Sequence, residues 1–134
     1  MESQLKIIGT LLIGLAFLHI FFPKYFKWKE DFRSLSLINR QMTYVHSFFI
    51  AFTVLLMGLI CIIDPEDILH TRLGHYLAAG LFTFWFLRLL FQFFVYSPKL
   101  WRGLPFERGI HILLTLLWSY LTIIFFLIAH PYKN

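Results

Sequence analysis

Cysteine and charged residues are scarce in this sequence. Cys61 is its one cysteine, so no disulfide can form within the chain and no cluster of thiolates can bind a metal. Only 14% of the 134 residues are charged and 59% are apolar, and a soluble chain of this length cannot bury so much apolar surface. This composition excludes intrinsic disorder, a nucleic-acid-binding domain and a secreted disulfide scaffold. The sequence also lacks a phosphate-binding glycine loop, a zinc-protease signature and a nucleophile elbow.

Long apolar runs are what the sequence has in abundance. The four runs are residues 5–22, 43–63, 74–96 and 110–129. Each is close to the roughly 20 residues that cross a bilayer as a helix. We therefore predict an all-α fold, a transmembrane four-helix bundle that forms a single domain over residues 1–134. The first run lacks a signal-peptidase-like site, and we expect it to be retained as a helix.

Basic residues cluster between the first and second runs and between the third and fourth. These two connections hold eight Lys and Arg. The termini and the second connection, which lie on the other side of the predicted topology, hold three, and the second connection is acidic. Because Lys and Arg favour the cytoplasmic side, both termini are predicted to lie outside. Residues 23–42 also carry aromatic side chains typical of membrane interfaces, and a short interfacial helix is predicted there.

Polar residues inside apolar runs are costly, and each is a candidate for a functional site. Arg88 lies within the third run, and no acid lies in any of the four runs. Insertion of an arginine at mid-helix costs about 2.5–3.5 kcal/mol, so its guanidinium needs an acceptor. A loop carboxylate, a backbone carbonyl, a lipid phosphate or a bound ligand would each serve. Gln92 follows one turn later, and Trp85 and Tyr96 complete the same helical stripe.

Three histidines, His19, His46 and His111, are predicted at one depth near the cytoplasmic boundary, on three different helices. Together with the stripe on the third run they predict a pocket on the cytoplasmic side of the membrane. Its residues are His19, His46, Trp85, Arg88, Gln92, Tyr96 and His111. We expect no metal there, because Arg88 would place a positive charge beside the cation.

The predicted pocket suits a lipophilic molecule with an anionic or carbonyl head, such as a quinone or a lipid. Two alternatives stay open. One is a redox protein with a single b-type haem between two histidines, its propionate facing Arg88. The other is an accessory or assembly subunit of a larger membrane complex, whose polar layer only locks the helices together. Catalysis is undecided, since no nucleophile and base are paired. Expected partners are the lipid bilayer and, as an open option, further copies of the chain, but not nucleic acid.

Three groups of short motifs stand out along the chain. They are Asn39-Arg40-Gln41 before the second run, Phe84-Trp85-Phe86-Leu87-Arg88 with Gln92-Phe93-Phe94 in the third, and His111 with Tyr120 in the fourth. They resemble a family of small four-helix integral membrane proteins of bacteria over nearly the whole chain. The resemblance implies the bacterial cytoplasmic (inner) membrane, and it implies no reaction type because that family has no assigned activity. Another residue often replaces His46 in the sequences it resembles, which favours His19 and His111 as the haem pair.

Overall fold

A computed structural model describes residues 1–94 and 105–131, and in this part the chain is helical throughout most of its length and contains no strand. The helices are α1 (Glu2–Leu18), α2 (Phe22–Tyr25), α3 (Trp28–Asp31), α4 (Leu37–Ile63), α5 (Pro65–His70), α6 (Arg72–Phe94) and α7 (Pro105–Ala129). Four of the described segments, Glu2–Tyr25, α4, α6 and α7, are long and apolar enough to cross a membrane. The predicted all-α class is confirmed, and these are the four helices that a four-helix bundle requires. The chain is a multi-pass membrane protein.

All four long helices begin earlier than the apolar runs predict, and the second and fourth differ most. The second was expected from residue 43, but α4 begins at Leu37, where the Ser36 hydroxyl accepts a hydrogen bond from the Asn39 backbone N–H at 3.3 Å. The fourth was expected from residue 110, but α7 begins at Pro105, a residue that suits the first helical position. Hydropathy detects the apolar part of a helix and misses its polar first turns. The predicted end of the third helix at residue 96 lies outside the described residues.

The connection between the first two long helices is itself largely helical. Its one-turn helices α2 and α3 are separated by Lys27, which adopts a left-handed conformation with φ 55° and ψ 46°. The rings of Trp28 and Phe32 pack against Tyr44 of α4, with centroid separations of 5.7 and 5.8 Å. These aromatic contacts fix the segment to the start of α4.

The chain divides into two compact units, residues 1–65 and the residues from 66 onward. In the first unit α1 packs against α4, and in the second α6 packs against α7, so each unit contains a pair of long helices. Leu5, Leu12 and Cys61 are buried in the first unit. Trp85 and Phe125 are among the largest side chains buried in the second. The single domain expected over residues 1–134 stays a prediction.

The helices α1 and α4 approach each other closely at two glycines. A Cβ atom on Gly9 would lie 2.7 Å from the Gly58 carbonyl oxygen, and one on Gly58 would lie 2.8 Å from the Gly9 carbonyl oxygen. Backbone atoms cannot give way as a flexible side chain can. The pair therefore allows the two backbones to touch, as small residues commonly do between membrane helices.

This contact predicts opposite effects for one substitution at two places on α1. Gly9→Ala should lower the free energy of unfolding by about 1–3 kcal/mol, because the added methyl forces the backbones apart. Gly14→Ala should leave stability unchanged or raise it by up to about 1 kcal/mol, since a Cβ there meets nothing within 4 Å and alanine favours the helix. Unfolding in mixed micelles measures both. Equal effects of the two variants would contradict the close approach.

Candidate functional site

The side chains of the candidate site lie on the face of α6 that packs against α7. Leu81, Trp85 and Gln92 are buried at helical spacing along this face, with Trp85 only 2% and Gln92 only 4% exposed. Arg88, one turn before Gln92, is half-buried. Trp85, Arg88 and Gln92 of the predicted stripe therefore face α7 rather than lipid, and they bring a charged side chain to the contact between the two helices.

A chain of hydrogen bonds joins α6 to α7 through this stripe. The Arg88 guanidinium donates from Nη1 to Oε1 of Gln92 at 3.2 Å. On the other side of the amide, Nε2 of Gln92 lies 2.7 Å from Nδ1 of His111 on α7. The buried amide of Gln92 thus connects a cation on one helix with an imidazole on the next.

The direction of these hydrogen bonds follows from what each group can do. Arginine has only donors, so the atom of the Gln92 amide that faces it must be the oxygen. The amide nitrogen then faces His111, and because it also only donates, Nδ1 of His111 must accept. A histidine that accepts at Nδ1 carries its proton at Nε2. His111 is therefore the neutral Nε2–H tautomer in this arrangement.

Two indole rings complete the site. Trp85 of α6 stacks on Trp118 of α7 with ring centroids 5.0 Å apart and planes 12° from parallel. The Arg88 guanidinium carbon lies 5.1 Å from the centroid of the Trp118 ring, a cation–π distance. The buried Nε1 atoms of both tryptophans lack a hydrogen-bond acceptor among the residues that the structure describes. Each such donor is costly where water is absent.

The site therefore contains more hydrogen-bond donors than acceptors. Its side chains supply many N–H donors and a positive charge, whereas its two acceptors, Gln92 Oε1 and His111 Nδ1, each already accept a hydrogen bond within the site. A group with oxygen acceptors and no hydrogens to donate is the chemical complement of such a surface.

Hydroxyl groups on α7 do not change this balance. Three hydroxyl residues of α7 each donate to a carbonyl oxygen one turn earlier: Thr115 to His111, Ser119 to Thr115 and Thr122 to Trp118, at 2.7–2.8 Å. Such bonds are satisfied within the helix. The hydroxyl hydrogens of these three residues are therefore used within α7.

The structure brings together Trp85, Arg88, Gln92 and His111 of the seven predicted site residues. Sequence reasoning did not include Trp118 in the site, although its position two turns after His111, on the same face of a helix, was the available signal. Tyr96 lies outside the described residues.

The other two histidines of the predicted pocket, His19 and His46, belong to the first unit. His19 is half-buried, its Nδ1 donates to the Leu15 carbonyl at 2.7 Å, and its ring packs on Phe22 with centroids 4.6 Å apart. His46 is exposed on α4. Their membership of the predicted pocket stays a prediction. Among the described residues, no three His, Cys, Asp or Glu side chains are grouped so that they could hold a metal ion.

No protein family, curated protein or solved structure matches this chain. The resemblance to small bacterial membrane proteins accordingly stays a prediction, and the chemistry of the site has to be argued from its own geometry.

The position of Gln92 predicts a large effect for one substitution and a small effect for its matched control. Gln92→Leu should lower the free energy of unfolding by about 1–3 kcal/mol, because Arg88 and His111 each lose a buried hydrogen-bond partner. Gln41→Leu, at an exposed position of α4, should change it by at most about 0.5 kcal/mol. Unfolding in mixed micelles measures both variants, and comparable losses would show that the amide bridge contributes nothing.

Proposed function

We propose that the site formed by Trp85, Arg88, Gln92, His111 and Trp118 binds a lipophilic molecule with an anionic or carbonyl head, a quinone or a lipid, within the membrane. The observation that carries the proposal is the fixed positive charge of Arg88 among buried donors, between two helices long enough to span a bilayer. An intramembrane cation is expensive, and such residues commonly mark a ligand or ion site.

The Arg88 guanidinium contacts Gln92 and Trp118, and both of these side chains are uncharged. In a medium of low dielectric constant, an oriented cation attracts an anion or a carbonyl dipole more strongly than it would in water. A phosphate or carboxylate can also accept two parallel hydrogen bonds from one guanidinium. The charge of Arg88 thus supports an oxygen-rich head group as the ligand.

The indole pair adds a second element to the proposal. The Nε1 donors of Trp85 and Trp118 are buried without an acceptor in the described residues, and a ligand oxygen is the group that would relieve this deficit. Their stacked rings also present apolar aromatic surface next to the polar chain. A flat or acyl-bearing molecule with a polar head would supply both an acceptor for the indole donors and an apolar surface for the stacked rings.

The hydrogen-bond direction at His111 argues against the haem alternative. Iron binds a ring nitrogen through its lone pair, and a ligating histidine normally donates its other N–H to a neighbour. At His111 the lone pair lies on Nδ1, where it accepts from Gln92, and the proton lies on Nε2. Ligation would require this arrangement to be reversed, so His111 is poorly prepared to hold a haem.

A ligand-binding experiment distinguishes the proposed function from an accessory role, in which the hydrogen bonds of the site only hold α6 against α7. In mixed micelles, ubiquinone-1 or phosphatidic acid at a hundredfold excess over its Kd should stabilise the native chain by about 2.7 kcal/mol. Arg88→Ala should weaken that binding at least tenfold, because a charged hydrogen-bond donor is lost. Arg72→Ala, at the exposed start of the same helix, should bind as the native chain does. If neither molecule stabilises the native chain, the accessory role replaces the ligand role.

We also propose that the protein resides in the bacterial cytoplasmic membrane with both termini outside and the site on the cytoplasmic side. The distribution of Lys and Arg supports this orientation, with eight in the two connections assigned to the cytoplasm and three on the other side.

Single-cysteine labelling in intact cells tests the orientation. In a Cys61→Ala background, Ser3→Cys near the N-terminus should react with a membrane-impermeant maleimide, and Ser34→Cys in the first basic connection should not. Both serines are exposed, so accessibility within the protein does not bias the comparison. The reverse labelling pattern would invert the topology and place the site on the outer side.

A further inference from the structure

The amide of Gln92 determines the hydrogen-bond direction of the whole site, and this has a consequence for ligand choice. We infer that Gln92 makes the site selective for head groups that only accept hydrogen bonds, so that it binds an oxidised quinone in preference to the quinol and a lipid phosphate in preference to a lipid hydroxyl. The inference rests on the proposed ligand-binding function and identifies the class of head group that the same site takes.

The first step is the orientation of the amide. If the Gln92 amide were turned over, its NH₂ group would face the Arg88 guanidinium at the observed separation of 3.2 Å, and two donors would oppose each other. Gln92 is only 4% exposed, so it has little solvent to which the displaced group could turn. The guanidinium therefore selects one of the two amide orientations.

The second step is the protonation of His111. With the Gln92 NH₂ group 2.7 Å from Nδ1, a proton on Nδ1 would again set two donors against each other. Both the Nδ1–H tautomer and the imidazolium cation carry that proton, whereas the Nε2–H tautomer does not. Arg88 thus determines, through the orientation of the Gln92 amide, which nitrogen of His111 carries the proton. Nδ1 accepts a hydrogen bond, and Nε2 is left as a donor.

The third step is the match with a ligand. Gln92 Oε1 and His111 Nδ1 are engaged by their neighbours, while the indole Nε1 donors of Trp85 and Trp118 lack acceptors in the described part of the chain. A hydroxyl head brings a further hydrogen into this surplus of donors, and a carbonyl or phosphate oxygen does not. One buried donor without a partner is enough to weaken binding about tenfold.

The first measurement concerns His111 alone and needs no ligand. Nitrogen-15 NMR of the full chain in bicelles, with labelled histidine and with His111→Gln to assign the signal, should show His111 protonated at Nε2. In Gln92→Glu the carboxylate can accept from both neighbours, so the His111 proton should move to Nδ1 or a second proton should be gained. Gln41→Glu, the same change at an exposed site, should leave the His111 signal as in the native chain. An Nδ1-protonated His111 in the native chain overturns the inference.

The second measurement compares ligand pairs that differ in their hydrogens. We expect ubiquinone-1 to bind the native chain about tenfold more tightly than ubiquinol-1, and phosphatidic acid to bind about tenfold more tightly than diacylglycerol. In Gln92→Glu both preferences should disappear, and in Gln41→Glu both should persist. Equal binding within each pair by the native chain overturns the inference while leaving a ligand site. Absence of binding by all four molecules, with His111 still protonated at Nε2, overturns the proposed function and confirms the tautomer.

Discussion

The guanidinium of Arg88 is the constraint on which the rest of the second unit depends. It is a permanent charge on a helix that is otherwise apolar enough to cross a bilayer, and the surrounding side chains are arranged to hold it. The ring of Trp118 and the oxygen of Gln92 both face it with their negative ends. From that single charge follow the orientation of the Gln92 amide and, through the amide, the protonated nitrogen of His111.

The same arrangement serves packing and recognition together. Gln92 and His111 bridge α6 and α7, and the stacked Trp85 and Trp118 fill the space beside the bridge, so the polar chain is embedded in aromatic surface. A buried polar network in which every member is satisfied makes the packing of a core rigid and specific. Here the donors exceed the acceptors, and two indole N–H groups have no acceptor in the described residues. That imbalance is the basis for proposing a binding site here rather than a purely structural contact between the helices.

The sequence predicted the fold class and four of the five residues assigned to the candidate site, for identifiable reasons. Apolar runs identify membrane helices because length and hydropathy are properties of a single segment, and the spacing of Trp85, Arg88 and Gln92 places them on one face for the same reason. Trp118 was not predicted as a site residue because its neighbours depend on the rotation of α7 relative to α6. A local sequence pattern carries no information on that rotation. The contact of His111 with Gln92 depends on the packing of α7 against α6 in the same way, and the grouping of His19 and His46 with them stays a prediction.

The most direct test of this account is the distance between Gln92 Nε2 and His111 Nδ1 in the protein reconstituted in lipid bilayers, measured by solid-state NMR with both side chains labelled. We expect a hydrogen-bonded separation close to the 2.7 Å of the structure. A separation well beyond about 3.5 Å would show that the charge of Arg88 is not relayed to α7, and it would contradict the site as described.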